Sequence, residues 1–172
     1  MTLQEIFQEL KKHSANFSLE LIEAKNPTVP GQTEPAGDSY ILVPPESLMA
    51  VCKMLKMTEM FHFDCLTNLT GTDWKDRFEV VYHLFSYRHR QAIGLKVKLP
   101  HENPSLPTVE GIWKTANWLE REVYDLLGVR FEGHSDLRRI MLPDDWIGHP
   151  LRKDYKEEAD YHGIGTTRPS LL

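Results

Sequence analysis

Three consecutive segments of the chain alternate apolar and polar residues, and this pattern restricts the possible folds more than any other feature. The segments span residues 61–69, 77–86 and 91–99. Alternation with a period of two places the apolar side chains on one face of a β-strand. Turn residues at 71–73 separate the first two segments, and residues 88–90 separate the last two. The sequence therefore predicts an antiparallel or mixed sheet that is covered on one face.

Segments with apolar residues at helical spacing precede these strands. Residues 2–13 and 45–56 each place a stripe of apolar side chains on one helix face. Short segments at 17–22 and 40–43 predict two further strands, and the prolines and glycines of 26–38 predict a loop. This order of elements predicts an α+β fold, a two-layer sandwich of a mixed or antiparallel sheet with helices on one face.

A further helical pattern lies in the second half of the chain. It begins at Val109 and ends at Gly128, a residue type that commonly terminates helices. Asn117 and Glu120 have the spacing of a capping box, which marks the start of a helix. The segment is therefore predicted to be two short helices with a bend near Thr115.

Residues 132–172 lack a regular pattern and combine aromatic with charged side chains. A stretch of this length without secondary structure is usually either functional or disordered. Tryptophan, tyrosine and arginine are the residue types that anchor protein interfaces. We therefore divide the chain into an α+β core domain at 1–131 and an extended, irregular C-terminal arm at 132–172 that binds a partner.

Composition and motifs exclude several classes of function. The net charge of −5 disfavours nucleic-acid binding, which requires a basic surface. Cys52 and Cys65 are too few to hold an iron–sulfur cluster, and no glycine-rich loop opens a predicted helix to bind NAD or flavin. No apolar run approaches the about 20 residues of a membrane-spanning helix. We expect no cofactor, no metal and no catalytic residue in this chain, and contact with a membrane only through a partner.

The helix at 118–127 carries several charged residues, of which Arg121 and Asp125 have the spacing of an ion pair. A solvated helix face is the ordinary interpretation of such charges. Trp118 projects beside them, on the side opposite to a stripe of leucine and valine, and a large aromatic among charges indicates that this face is covered. Acid–base catalysis by paired carboxylates among Glu120, Glu122 and Asp125 is disfavoured because no nucleophile, metal cluster or pocket signal accompanies them.

His134, Arg138 and Arg139 follow the helix, and His149 lies in a similar mixture of charges. Histidines beside carboxylates can bind metal ions. The neighbours of both histidines are glycine, proline and arginine rather than further ligands, so hydrogen-bonded structural histidines are the favoured interpretation.

Short blocks between residues 112 and 155 follow one another in a distinctive order. They read IW at 112–113, EREVYDLLGV at 120–129, FEGH at 131–134 and DLRRI at 136–140, followed by LP, DW and GHPLRKDY within 142–155. Together they resemble the signature of the 30-kilodalton (C) subunit family of respiratory complex I. Ser135 is a departure, since the family usually has proline there.

The resemblance implies a role in a proton-pumping NADH–quinone oxidoreductase, which passes electrons from NADH through FMN and iron–sulfur clusters to a quinone. The 30-kilodalton subunit of that family holds no cofactor. It packs in the peripheral arm against the D (49-kilodalton) subunit and neighbouring iron–sulfur subunits, on the cytoplasmic side of the inner (plasma) membrane. The residues thereby implied at partner interfaces are Trp118, Glu120, Arg121, Glu122, Asp125, His134, Arg138, Arg139, Trp146, His149, Arg152, Lys153, Asp154 and Tyr155.

Two alternatives remain at this point. The first is the equivalent subunit of a membrane-bound hydrogenase, or of a complex fed by ferredoxin or the deazaflavin F420, because a subunit that binds no donor cannot reveal the donor. The second is a free-standing enzyme that uses the helix at 120–125. Neighbouring genes test the first alternative, and turnover by the purified chain tests the second.

Overall fold

The computed structural model describes residues 1–13, 17–24 and 38–166. Most of the predicted loop at 26–38 and the end of the predicted arm lie outside these ranges. The helices are α1 (Leu3–His13), α2 (Leu48–Met57) and α3 (Ala116–Leu127), and a 3-10 turn at Pro45–Ser47 leads into α2. The strands are β1 (Glu20–Ile22), β2 (Tyr40–Leu42), β3 (Cys65–Asp73), β4 (Arg77–Ser86), β5 (Gln91–Pro100), β6 (Ser105–Pro107), β7 (Arg130–Glu132), β8 (Asp160–Tyr161) and β9 (Ile164–Gly165).

A five-stranded mixed sheet forms the centre of the molecule. Its strand order is β1-β2-β5-β4-β3. Strand β2 runs parallel to β5, and all other neighbours in this sheet are antiparallel. Two small sheets complete the described strands: β6 pairs in parallel with β7, and β8 pairs with β9 in a hairpin. The predicted α+β class with a mixed sheet is confirmed.

The alternation of β4 and β5 determines which face of the sheet carries the core. Val80 and Tyr82 are fully buried, whereas His83, on the other face, is exposed. The apolar stripes of the first two helices pack in the same hydrophobic cluster, as predicted. Their buried members are Ile6, Phe7 and Leu10 of α1 and Leu48, Val51, Cys52 and Leu55 of α2.

Strand β3 differs from the predicted segment at 61–69. It begins at Cys65 and continues through Asp73, so the residues predicted to form a turn at 71–73 belong to the strand. Phe61 and Phe63 are fully buried but lie before the strand, because His62 adopts a left-handed backbone conformation with φ of 42°. The turn lies at 74–76 instead, where the Asp73 carboxylate accepts the backbone N–H of Lys75.

Gly71 lies in β3, at the position where α3 packs directly over the strand. A Cβ atom at this position would lie 2.5 Å from the Cδ1 atom of Leu127 and 3.1 Å from Cγ1 of Val123. Val123 and Leu127 therefore pack against β3, and Leu119 is partly buried against the same core. The glycine allows the helix to approach the sheet at close range.

The region around α3 contains further departures from the prediction. The helix begins at Ala116 rather than at Val109, and residues 109–115 form turns in which the Val109 carbonyl oxygen accepts the N–H groups of Ile112 and Trp113. Strand β6 lies between β5 and this region, in a segment with no predicted strand. The predicted strand at 17–22 is shorter, since β1 starts at Glu20.

The arm runs back along α3 after β7. Between 132 and 166 every apolar residue of the described chain is at least partly exposed, in contrast to the sheet. The hairpin of β8 and β9 is the only regular structure after β7 in the described arm. The division at residue 131 stays a prediction. Among the described residues, no helix has the length and apolar character required to cross a bilayer.

Candidate partner-binding arm and its anchors

Asp125 is the main anchor of the arm, and its side chain is completely buried. Its Oδ2 atom accepts the backbone N–H groups of Ile140, Met141 and Leu142 at 2.9, 2.7 and 3.0 Å. Its Oδ1 atom lies 2.7 Å from Nη1 of Arg139. Burial by itself would raise the pKa of Asp125, but the three N–H donors and the guanidinium lower the pKa below its usual value. The ionised carboxylate thus holds the arm by its backbone.

Arg121 is the second anchor and is also buried, with 5% of its surface exposed. Its guanidinium donates to the carbonyl oxygens of Arg138 and Arg139 at 3.2 and 3.4 Å, and it stacks over the Trp118 ring. The predicted ion pair between Arg121 and Asp125 is therefore wrong for this structure: each of the two side chains binds the arm instead. The arm itself covers most of the charged face of α3.

The middle of the arm is fixed by backbone contacts to the core. The Asp125 carbonyl oxygen accepts Nδ1–H of His149 at 2.9 Å, and the Leu126 carbonyl oxygen accepts the N–H of Leu151 at 3.0 Å. Gly128 makes room for the imidazole, since a Cβ atom there would lie 2.6 Å from the His149 ring. His149 is thus a structural histidine, as the sequence favoured.

Farther along, Lys153 joins the arm to the sheet. The Asp73 carboxylate at the end of β3 accepts the Lys153 backbone N–H at 2.8 Å. Asp73, His101 and Asp154 place potential metal-ligand atoms within 4.8 Å of one another. The Asp73 oxygens already accept two backbone N–H groups, and the Arg152 guanidinium pairs with Asp154 at 3.2 Å. A cation would have to displace these donors, so we assign no metal to this group.

Glu120 and His134 form a buried polar cluster where the arm leaves the core. Glu120 is fully buried and accepts the Thr108 hydroxyl at 2.5 Å and the Val109 N–H at 2.8 Å. Burial raises the pKa of Glu120 to about 7. The His134 Nε2 atom lies 3.9 Å from this carboxylate and 3.7 Å from that of Glu110.

Both ring nitrogens of His134 make hydrogen bonds. Its Nδ1 atom accepts the N–H of Asp136 at 3.0 Å, and its Nε2–H donates to the Asn117 carbonyl oxygen at 3.0 Å. This arrangement fits a neutral imidazole. A carboxyl group that titrates near neutrality beside an imidazole is a common catalytic pair. Here both groups are sealed from solvent and fully hydrogen-bonded, so their arrangement suits a structural joint.

The remaining predicted site residues lie nearer the surface. Trp118 is 64% exposed, and Glu122 is partly exposed without a hydrogen bond or ion pair among the described residues. Arg138 is exposed and pairs with Asp136. Trp146 packs against Tyr161 with ring centroids 5.0 Å apart, and Tyr155, Lys153 and Asp154 follow on the arm.

Large exposed apolar residues on the arm were not among the sequence-predicted site residues. They are 59–70% exposed, and they are Met141, Ile147, Leu151 and Ile164. Large apolar side chains that are exposed to this extent indicate contact with another protein when they form a contiguous patch. The apolar run at 140–142 carries a signal in the sequence, but only the structure shows that its backbone is fixed inward by Asp125 while Met141 faces solvent.

Comparison with known proteins identifies relatives of this chain. The family model described as "Respiratory-chain NADH dehydrogenase, 30 Kd subunit" matches residues 41–161. The C subunit of the NADH-quinone oxidoreductase of Geotalea uraniireducens is 47% identical over 122 residues, which cover 69% of this chain and 73% of that protein. The C subunit of the same enzyme from a Roseiflexus species is 44% identical over 140 residues, covering 79% of this chain and 80% of the relative.

Two solved structures share the fold. A trypsin-resistant fragment of Nqo5 superposes with a TM-score of 0.57 and 30% identity, covering 80% of this chain and all of the fragment. A chain of the membrane-bound sulfane sulfur reductase, an archaeal respiratory membrane complex, superposes with a TM-score of 0.67. It is 24% identical and covers 89% of this chain and 85% of its own length, a likeness that concerns the fold alone.

Proposed function

Because this chain belongs to the family of 30-kilodalton subunits of the respiratory-chain NADH dehydrogenase, we propose that it is a non-catalytic scaffold subunit of such a complex. In this role its core supports the arm, and the arm binds neighbouring subunits of the peripheral part of a NADH–quinone oxidoreductase. Electron transfer from NADH through FMN and iron–sulfur clusters to quinone, with its proton pumping, is carried out by other subunits.

The observation that carries this proposal is the way in which Asp125 holds the arm. The carboxylate binds the backbone N–H groups of 140–142, so it fixes the path of this part of the arm without using the side chains of those three residues. Met141 is 61% exposed as a result, and Ile147 and Leu151 are exposed farther along. A segment that is rigidly attached yet presents apolar side chains to solvent is suited to bind a partner with little loss of conformational entropy.

The chemistry of the buried charged residues supports a scaffold over an enzyme. Asp125, Arg121 and Glu120 are each occupied by hydrogen bonds within the chain. A catalytic group must instead reach the proton or atom on which it acts. The partners we propose are the D (49-kilodalton) subunit and adjacent iron–sulfur subunits, at the cytoplasmic side of the membrane, which the chain contacts only through the complex.

The test introduces a charge into the exposed apolar surface of the arm. Met141→Glu should leave the isolated chain folded but reduce the amount of complex assembled in membranes, since burial of an unpaired carboxylate opposes docking. Met57→Glu is the matched control, because Met57 is 80% exposed at the end of α2, far from the arm in sequence. NADH–quinone turnover per assembled complex should stay near normal.

Two other results would contradict the proposed scaffold function. A Met141→Glu complex that assembles in full amount but turns over slowly would indicate a part in the chemistry. Assembly that is unchanged by Met141→Glu, Ile147→Glu and Leu151→Glu alike would show that the arm does not bind a partner.

The electron donor of the parent complex is tested by the proteins that co-purify with the chain from its native membranes. The proposal requires an NADH-binding flavoprotein among them. A nickel–iron hydrogenase, or a module that accepts electrons from ferredoxin or F420, would support the alternative parent complex and keep the scaffold role.

A further inference from the structure

The far end of the described arm contains a pocket that the described residues leave open. Its volume is about 130 Å³. Three aromatic residues contribute to its wall: Trp146, Tyr155 and Tyr161. Its size is close to the about 150 Å³ cavity that accommodates a benzene molecule. Ligand sites for larger molecules occupy about 300–1,000 Å³, so the pocket suits a single side chain rather than a cofactor.

The rim of the pocket is acidic. Asp145 and Asp160 already accept hydrogen bonds, from Tyr161 and His162 and from the Gly163 N–H respectively. Glu157 and Glu158 also line the pocket, and their exposed carboxylates make no hydrogen bond or ion pair among the described residues. The pocket therefore offers two uncommitted negative charges beside aromatic rings.

Trp146 adds a second observation at the same place. Its indole Nε1–H is shielded from solvent and has no acceptor within the described chain. A buried donor without a partner destabilises a structure, and such a group calls for a specific explanation. Because this N–H is shielded, a carbonyl oxygen of a bound polypeptide reaches it only if the indole shifts on binding.

We propose that this pocket receives an arginine side chain from a neighbouring polypeptide. A guanidinium is planar, stacks on aromatic rings and pairs in a fork with carboxylates, so it matches the rings and both free carboxylates at once. A lysine ammonium is a compact, strongly hydrated charge that matches the carboxylates but uses the rings less well. This inference rests on the proposed scaffold function and specifies the chemistry of one partner contact.

The full-length chain labelled with ¹⁵N at tryptophan allows a direct test. The sequence has 4 tryptophans, and a Trp146→Phe variant assigns the Trp146 indole signal. The probe is the blocked tripeptide Ac-Gly-Arg-Gly-NH₂, compared with the lysine tripeptide and with the citrulline tripeptide, which has the shape of arginine without its charge. We expect the arginine tripeptide to shift the Trp146 signal saturably and with the highest affinity.

Variants test whether the carboxylates at the rim of the pocket contribute to binding of the arginine tripeptide. The double substitution Glu157→Gln and Glu158→Gln should weaken binding of the arginine tripeptide by about fivefold, as expected for loss of two exposed charge pairs. Glu102→Gln removes an exposed charge that does not line the pocket and should leave the affinity unchanged. Equal affinity for the lysine or citrulline tripeptide, the absence of a saturable shift, or an unchanged affinity in the double variant would each overturn the proposal.

Membrane preparations separate this inference from the scaffold proposal. Reversal of both charges, Glu157→Lys with Glu158→Lys, should make the assembled complex dissociate at lower salt concentration than the Glu102→Lys control. If this variant behaves like the control while Met141→Glu still impairs assembly, the arginine pocket is wrong and the scaffold function stands. If Met141→Glu is harmless, the scaffold proposal fails whatever the tripeptides do.

Discussion

Strands β4 and β5 bury most of their apolar side chains on one face, whereas every apolar residue of the described arm from 132 to 166 is at least partly exposed. The sheet is stabilised by apolar burial, which is not directional and depends mainly on the area removed from water. The arm is held by hydrogen bonds from its backbone and from Arg139 to a buried carboxylate, and such bonds depend on geometry and ionisation. The two regions should therefore respond differently to mutation and to pH.

Truncation of a core side chain should have the largest effect and should act on the entire domain. Phe63 is fully buried in the hydrophobic core. Phe63→Ala should lower the free energy of unfolding by about 3–5 kcal/mol, through lost burial and the cavity that remains. Lys98→Ala, on the exposed face of β5, should change it by less than about 0.5 kcal/mol. Urea denaturation followed by circular dichroism measures both, and a Phe63→Ala effect confined to the arm would contradict the comparison.

The pH dependence of stability should have opposite signs at Glu120 and at Asp125. The pKa of Glu120 is raised from 4.5 to about 7, so the folded state favours its protonated form. The corresponding stability is complete below pH 4.5 and is lost as the pH rises through about 7, a difference of about 3 kcal/mol. Glu120→Gln should remove this part of the pH dependence, which urea denaturation between about pH 5 and about pH 8 would measure.

The pKa of Asp125 is lowered from 3.8, so its contribution is present above pH 3.8 and is lost as the pH falls below that value. Acid should therefore release the arm, while mild alkali should weaken the Glu120 joint. Proteolysis of the arm by an acid-active protease across this range reports the release. If cleavage of the arm does not increase as the pH falls below 3.8, the ionised Asp125 does not hold the arm.

Neutralising Asp125 should act locally. Asp125→Asn keeps the shape of the side chain, so we expect about 2–3 kcal/mol, less than the roughly 3–5 kcal/mol of a fully desolvated broken pair. Hydrogen exchange at the amides of 140–142 should accelerate while exchange in β4 and β5 stays slow. Glu122→Gln is the control on the same helix, because Glu122 has no hydrogen bond or ion pair within the described chain. Equal effects of the two variants would show that the arm is not anchored by Asp125.

A methyl group at the end of α3 should produce the smallest effect. Gly128→Ala combines a left-handed conformation, with φ of 76°, and a clash with the His149 ring. Gly133→Ala has nearly the same φ, at 80°, but its added Cβ would meet only Thr108 at an ordinary 3.6 Å. Each should lose about 1–2 kcal/mol from backbone strain. Only Gly128→Ala should also displace His149, visible as a change in the imidazole NMR signals.

The same difference explains what the sequence could predict. Strands β4 and β5 follow from alternation, because a sheet with one buried face imposes that pattern on its residues. The sequence predicts β3 too early in the chain. The buried Phe61 and Phe63 continue the alternating pattern, although His62 between them has a left-handed backbone and the strand begins only at Cys65. Gly71 reads as a turn residue, although its actual role is to admit Leu127.

The burial of Arg121 and Asp125 lay beyond sequence reasoning. Charged residues on a helix are usually solvated. Their partners lie 14–18 positions later, in a segment without periodicity. The exposed Trp118 indicated that this face is covered, but it could not reveal that the arm of the same chain supplies most of the cover.

The hydrogen bonds from backbone amides to Asp125 also have an evolutionary consequence. Since Ile140, Met141 and Leu142 contribute their N–H groups, any residue except proline can make the same three hydrogen bonds. The side chain at position 141 can therefore change in evolution to match the surface that it contacts, whereas the side chain at position 125 cannot. In a saturation library scored by folding of the isolated chain, tolerance should be broad at 141 and narrow at 125, so that new binding preferences can arise on the arm without a change in its course.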